Sequence, residues 1–255
     1  MTSSTENKWK WPLILSFIRI PLLLVGAAIT YLLFILTDTA YTIPLLPGIS
    51  TLYFTVINLI CFYILYRVLK QEGSSIAQLI DFKGARLGKD ILLGFLWIMV
   101  LYFPFVLAVM GTMWVMFEAE MFLHFEAVFA PGGYDIEMPY ALMIVSAIVS
   151  ATLFPLLNAP IEELLYRGYA QKRLAAVTKK WVAILIPTIG FSIQHIMLAG
   201  TLTGAIVYAV AFFFWGLGAA IIYEWHGRLL PIIIAHFMTN FLFGSIPLIF
   251  LLFFY

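Results

Sequence analysis

Glu162, Glu163, His195 and His236 are ionisable residues that fall inside apolar runs of this sequence, and Asn240 lies beside them. An ionisable group at membrane depth is costly and points by default to function. His236 and Asn240 are four residues apart, so they share a helix face. Phe191 precedes His195 by the same spacing, which sets an aromatic ring one turn before the histidine. Glu163 and Arg167 repeat the spacing with the acid first, the favourable order for an ion pair. Glu162 and Glu163 are neighbours and point about 100° apart on a helix, so they cannot do the same job. The simplest division pairs Glu163 with Arg167 and turns Glu162 toward His195. A carboxylate and histidines of this kind move protons, either in catalysis or as a relay in a transporter. Each group taken singly is more often interhelical glue, a reading that suits Glu163 with Arg167, but Glu162, His195, His236 and Asn240 together at one depth would be a costly coincidence.

The elements that position these residues are membrane spans. Of 255 residues 64% are hydrophobic and 11% charged, and the mean hydropathy is +1.03. A soluble domain is about half apolar and a quarter charged, so solubility is excluded. Seven apolar runs are each long enough to cross the hydrocarbon core: Trp11–Thr37, Thr51–Leu69, Ile91–Phe117, Pro139–Arg167, Trp181–Leu198, Leu202–Tyr223 and Leu229–Tyr255. The fold class is therefore an all-α polytopic bundle of seven to eight spans, the last run being the one that could hide a turn near Gly244-Ser245. The first run is too long for a secretory signal peptide and reads as a retained span. Glu162 and His195 are equidistant from the polar turn Thr178–Lys180, which sets them at one level, roughly 20–25 Å along the helices from it. Pro155 and Pro160 predict a break or opening beside Glu162.

Lys and Arg collect in the N-terminal tail (Lys8, Lys10), the second connection (Arg67 to Lys89), the fourth (Arg167 to Lys180) and the sixth (Arg228). Arg19, near the start of the first span, is expected to snorkel back toward the tail. This one-sided distribution predicts a cytoplasmic N-terminus and a site reached from the cytoplasmic side. The outer third connection is acidic (Glu118, Glu120, Glu126, Asp135, Glu137) with a Pro131-Gly132-Gly133 turn signal and reads as a solvated loop with a short interfacial helix. The inner connection Gln71–Asp90 reads as surface structure. A net charge of +1 and the absence of a basic cluster argue against nucleic acid. The lone Cys61 excludes an internal disulfide. The partners are the bilayer and a substrate at it; oligomeric state is not encoded legibly.

The segments Glu162-Glu163-Leu164-Leu165-Tyr166-Arg167, Phe191-Ser192-Ile193-Gln194-His195 and His236-Phe237-Met238-Thr239-Asn240 resemble the EExxxR, FxxxH and HxxxN motifs of the CPBP family of intramembrane proteases. The family is also called Abi or CAAX-protease-like. Each motif is weak alone; three in order on separate helices are specific. The resemblance covers Pro139 to Phe243, dividing the chain into a three-span scaffold region (1–138) and a catalytic membrane region (139–255). It implies endoproteolysis of peptides or proteins near the cytoplasmic face. Type 2 CAAX prenyl proteases of the family cut the last three residues from prenylated proteins, and other members are implicated in bacteriocin immunity and peptide maturation, so prenylated and leader-bearing substrates both stay open. A non-enzymatic protein, as a proton-coupled transporter or immunity-type scaffold, is the alternative.

Under this resemblance Glu162 with His195 activates a water, and His236 with Asn240 offers donors to the oxyanion. Glu163, Arg167 and Phe191 support them. Ser192 could face His195, but nothing else marks it as a nucleophile. Glu162, His195 and His236 could instead hold catalytic zinc with one open position. The HExxH pattern is absent, the base would then have to be Glu163, and Asn240 is a poor zinc ligand. A metal-independent mechanism is favoured.

Overall fold

Two irregularities in the spans of this chain fall just ahead of a proline, while Pro12, Pro104, Pro160 and Pro187 lie inside helices that continue through them. The computed structural model describes residues 6–43, 45–129 and 138–253, and the described residues form helices without a strand. Helices α1 (Glu6–Phe17) and α2 (Arg19–Leu36) make one long apolar span with a dislocation at Ile18. Pro21 lies four residues beyond Phe17, and its ring would collide with the Phe17 carbonyl in an unbroken helix. Helix α3 (Pro47–Gln71) starts with proline at its first position, where the missing N–H has no cost. Helix α4 (Ile76–Ile80) is fixed by a capping box between Ser75 and Gln78. Helix α5 (Leu87–Phe117) follows, then a 3₁₀ stretch (Glu118–His124) and the short α6 (Phe125–Phe129). The turn Pro131-Gly132-Gly133, with Asp135 and Glu137, lies outside the described residues.

The fourth run is broken, at a place the sequence did not specify. Helix α7 (Tyr140–Ala151) and the helical stretch Leu153–Ala175 meet at Thr152 with a bend of 43°. Pro155 would strike the Ala151 carbonyl, so α7 ends there and α8 (Leu153–Glu163) restarts with Pro155 in its first turn. Pro160 sits inside α8 without ending it, so the break expected beside Glu162 falls at Pro155 and not at Pro160. A π-helix (Leu164–Gln171) begins immediately after Glu163 and runs into α9 (Lys172–Ala175). Helices α10 (Lys180–His195), α11 (Leu202–His226), α12 (Leu230–Gly244) and α13 (Ile246–Phe253) complete the bundle. Among the described residues six helices are long and apolar enough to span a membrane, seven with the bent pair counted as one span. The turn at Gly244-Ser245 is the α12–α13 junction within a single candidate span, Leu230–Phe253, so no eighth span arises among the described residues.

Helix α8 is flanked by α3 and α12, the π-segment lies against α1 and α10, and α5 packs on α11 and α12. Lipid tails are as apolar as leucine, so close packing and polar contacts must hold such helices together. Gly190 shows how close the backbones come: a Cβ there would lie 1.8 Å from the Ser16 carbonyl oxygen. Apolar side chains such as Leu92, Met99, Val115 and Leu202 face outward, while Arg19, Asn58, Glu162, Glu163, Arg167, Gln194, His195 and His236 are buried. Asp90, expected in a surface connection, is also buried, and its carboxylate is held by Arg228.

Candidate active site

Glu162 lies in the last turn of α8, fully buried, and faces Arg19 of α2, His195 of α10 and His236 of α12. Its Oε1 accepts a hydrogen bond from Arg19 Nη2 at 2.9 Å. Arg19 is itself 0% exposed, so the expected snorkelling toward the tail does not occur. The guanidinium points inward, where Nη1 donates to Asn58 Oδ1, Nη2 also to Asn158 Oδ1 at 2.9 Å, and Nε to Gln194 Oε1. Sequence reasoning missed this cluster. The available signal was a cation some 12 Å into a span at ~1.5 Å per residue, matched by Asn58, Asn158 and Gln194 in three other apolar segments.

The second oxygen of Glu162 faces both histidines. Oε2 lies 3.9 Å from His195 Nε2 and 3.7 Å from His236 Nε2. Those separations exceed a direct hydrogen bond and suit groups bridged by one small molecule. Oε2 has no hydrogen-bond partner among the described residues. The two rings are oriented from their other nitrogens. His195 Nδ1 is 2.6 Å from the Phe191 carbonyl oxygen. A carbonyl only accepts, so Nδ1 carries the hydrogen and a neutral His195 presents the Nε2 lone pair. His236 Nδ1 is 2.8 Å from Glu163 Oε1. Glu163 does pair with Arg167, at 3.0 Å, as its spacing predicts, but the same oxygen serves His236, so it is not confined to a structural pair. Arg167 Nη2 also donates to the Gly216 carbonyl oxygen at 3.0 Å.

Aromatic rings wall in the histidines. Phe191 is fully buried, with its ring 4.4 Å from that of His195 and 5.9 Å from that of His236, while the Arg167 guanidinium lies 4.5 Å from its centroid. Phe212, which the sequence did not single out, stacks on His195 at 3.8 Å. Asn240 sits one turn beyond His236, and its Nδ2 is buried without a partner among the described residues. A buried unpaired donor calls for an explanation, and a ligand oxygen is one. Ser192 Oγ donates to the Ala209 carbonyl oxygen on α11, so it is engaged away from His195.

No group of three His, Cys, Asp or Glu residues among the described residues meets the spacing of a metal site. The donor set itself argues the same way. A dication on Glu162 Oε2 would stand beside the Arg19 guanidinium already bound to Oε1 of the same carboxylate.

Residues 144–242 match the family model described as type II CAAX prenyl endopeptidase, Rce1-like. The stretch contains all three motifs, which bears out the resemblance to CAAX-protease-like proteins and supports a peptidase of that general kind. No curated protein and no solved structure matches the chain.

Proposed function

We propose, from the match of residues 144–242 to the CAAX prenyl endopeptidase family, that this integral membrane protein is an intramembrane endopeptidase. The observation that carries the mechanism is the convergence of His195 Nε2 and His236 Nε2 on the one free oxygen of Glu162. A water held between Glu162 Oε2 and His195 Nε2 gives its proton to the carboxylate as its oxygen attacks the peptide carbonyl. Asn240 Nδ2 and His236 Nε2 meet the resulting oxyanion. His236 has an N–H to offer at Nε2 only as an imidazolium, because Nδ1–H is directed at Glu163; that carboxylate offsets the charge. Collapse of the intermediate breaks the C–N bond, and Glu162 returns its proton to the leaving amine. No metal enters these steps. The substrate is a peptide at the membrane, prenylated or leader-bearing, approaching from the cytoplasmic side.

The test is cleavage of a fluorogenic prenylated peptide beside its unprenylated counterpart by protein in lipid nanodiscs. Glu162→Ala, His195→Ala and His236→Ala should each abolish turnover and leave folded protein. A Glu162→Ala protein with near wild-type turnover would remove the base and with it the mechanism.

A further inference from the structure

Arg19 belongs to the first span, far from residues 144–242, yet it makes the shortest ionic contact of Glu162. We infer that Arg19 is a positioning residue of the site: it clamps one oxygen of Glu162 and thereby aims the other at His195 and His236. The inference rests on the peptidase mechanism above for what the aimed oxygen does, but the clamp itself is visible in the geometry.

A glutamate side chain has three rotatable bonds, so burial alone does not fix which way its carboxylate faces. Arg19 supplies the constraint. Its planar guanidinium offers five N–H donors in a rigid fork, and it is held by acceptors from three helices: Asn58 on α3, Asn158 and Glu162 on α8, and Gln194 on α10. Asn58 also donates to Asn158 at 3.2 Å, so the acceptors are themselves tied together. The guanidinium carbon lies 5.9 Å from the Phe54 ring centroid, closing another side. With Oε1 bound, Oε2 is the atom left facing the histidines.

Charge assigns Arg19 the same part. Two adjacent carboxylates are buried here, and each has its own guanidinium: Arg167 for Glu163 and Arg19 for Glu162. Removing one member of a buried pair leaves an uncompensated charge. Arg167 comes from the matched stretch and Arg19 does not, so residues 144–242 alone leave Glu162 without its counter-charge. Lysine could supply the charge, but not four directed bonds from one planar group. A purely structural ion pair would show in stability alone; a clamp also changes turnover per folded molecule.

The experiment compares wild type, Arg19→Gln, Arg19→Lys, Asn58→Ala, Glu162→Gln and the double variant Arg19→Gln/Glu162→Gln, all in nanodiscs, with kcat and KM normalised to folded protein. Misplacing a reacting group by about 1 Å can cost ~100-fold in rate. Arg19→Gln should therefore lower kcat by about that factor with KM changed less than about threefold, since Arg19 lies behind Glu162, and Arg19→Lys should recover about tenfold of the loss. Folded Arg19→Gln protein with wild-type kcat overturns the inference. If Arg19→Gln does not fold, Asn58→Ala decides, since it loosens the clamp without removing charge: a fall in kcat supports the inference and an unchanged kcat refutes it. Melting temperatures provide a readout without substrate. The double variant should lose less than the sum of the single losses, and strict additivity overturns the clamp. Should wild type leave every peptide uncut, or Glu162→Gln cut as well as wild type, the peptidase mechanism fails, and the melting cycle still judges the Arg19–Glu162 contact that the clamp requires.

Discussion

Glu163 holds two partners with one oxygen, Arg167 at 3.0 Å and His236 Nδ1 at 2.8 Å. The first contact could be read from a four-residue spacing; the second joins residues 73 apart on α8 and α12, which no local pattern encodes. The consequence is that Glu163 and Arg167 should separate on substitution. Glu163→Gln keeps an acceptor for Nδ1–H but loses the charge that offsets an imidazolium. It should lower kcat by about 10²-fold or more, the usual scale for losing an oxyanion donor, since His236 depends on that charge to donate. Arg167→Ala should chiefly destabilise, by about 3–5 kcal/mol, because it strands a buried carboxylate. Replacing both should be milder than the Arg167 loss alone. Kinetics per folded molecule and thermal shifts of the three proteins check this; strictly additive stability losses would count against pairing. Metal chemistry makes a contrasting prediction at the same scale. Dialysis against a strong zinc chelator should leave turnover unchanged within about twofold, because the mechanism uses a charge-paired carboxylate as base. One tightly bound zinc per chain, with activity lost on removal and restored on return, would show the opposite.

The elements that carry these residues were legible in outline and not at their breaks. Hydropathy located the seven runs because lipid demands long apolar helices. It could not locate the dislocation at Ile18 or the bend at Thr152, each set by a proline ring meeting a carbonyl four residues earlier. Pro160 shows the limit of that rule, since α8 passes through it. The π-helix after Glu163 has no sequence signal that we can name. Arg19 was expected to reach back toward the tail and instead turns inward, so the cluster around it was missed. The neighbouring contact between α1 and α10 is tight enough to test. A Cβ at Gly190 would sit 1.8 Å from the Ser16 oxygen, which is backbone and cannot swing away. Gly190→Ala must therefore push α1 off α10, and overpacking of this kind costs about 1–3 kcal/mol. The melting temperature should fall, and turnover per folded molecule should fall with it, since Ser16 is three residues from Arg19. A Gly190→Ala protein with unchanged melting temperature would show that the helices can part without penalty.

At the scale of the whole molecule, side-chain contacts gather the charged connections at one end. Arg173 from α9 pairs with Glu72 at the end of α3, and Glu72 also accepts from the Tyr169 hydroxyl. Lys180 at the start of α10 pairs with Glu224 near the end of α11, and Arg228 reaches Asp90 at the start of α5. These bonds join connections that the Lys/Arg census placed on a common side from sequence alone. The first connection, at Asp38 to Tyr41, carries no Lys or Arg. Positive charge is retained on the cytoplasmic side during insertion, so we propose that the end bearing Glu72, Arg173 and Arg228 is cytoplasmic. Single cysteines in a Cys61→Ala background test the orientation. Lys179 and Ala40 are both exposed, one in the α9–α10 turn and one in the first connection. A membrane-impermeant maleimide added to intact cells should label Ala40→Cys and spare Lys179→Cys, and opening the cells should make both react. Glu162 lies about 17 residues of helical chain from Lys179, roughly 25 Å at α-helical rise and less through the π-segment. A substrate entering beside that turn would therefore reach the carboxylate from the cytoplasm. Labelling of Lys179→Cys in intact cells would invert the whole bundle and move the site's access to the opposite face.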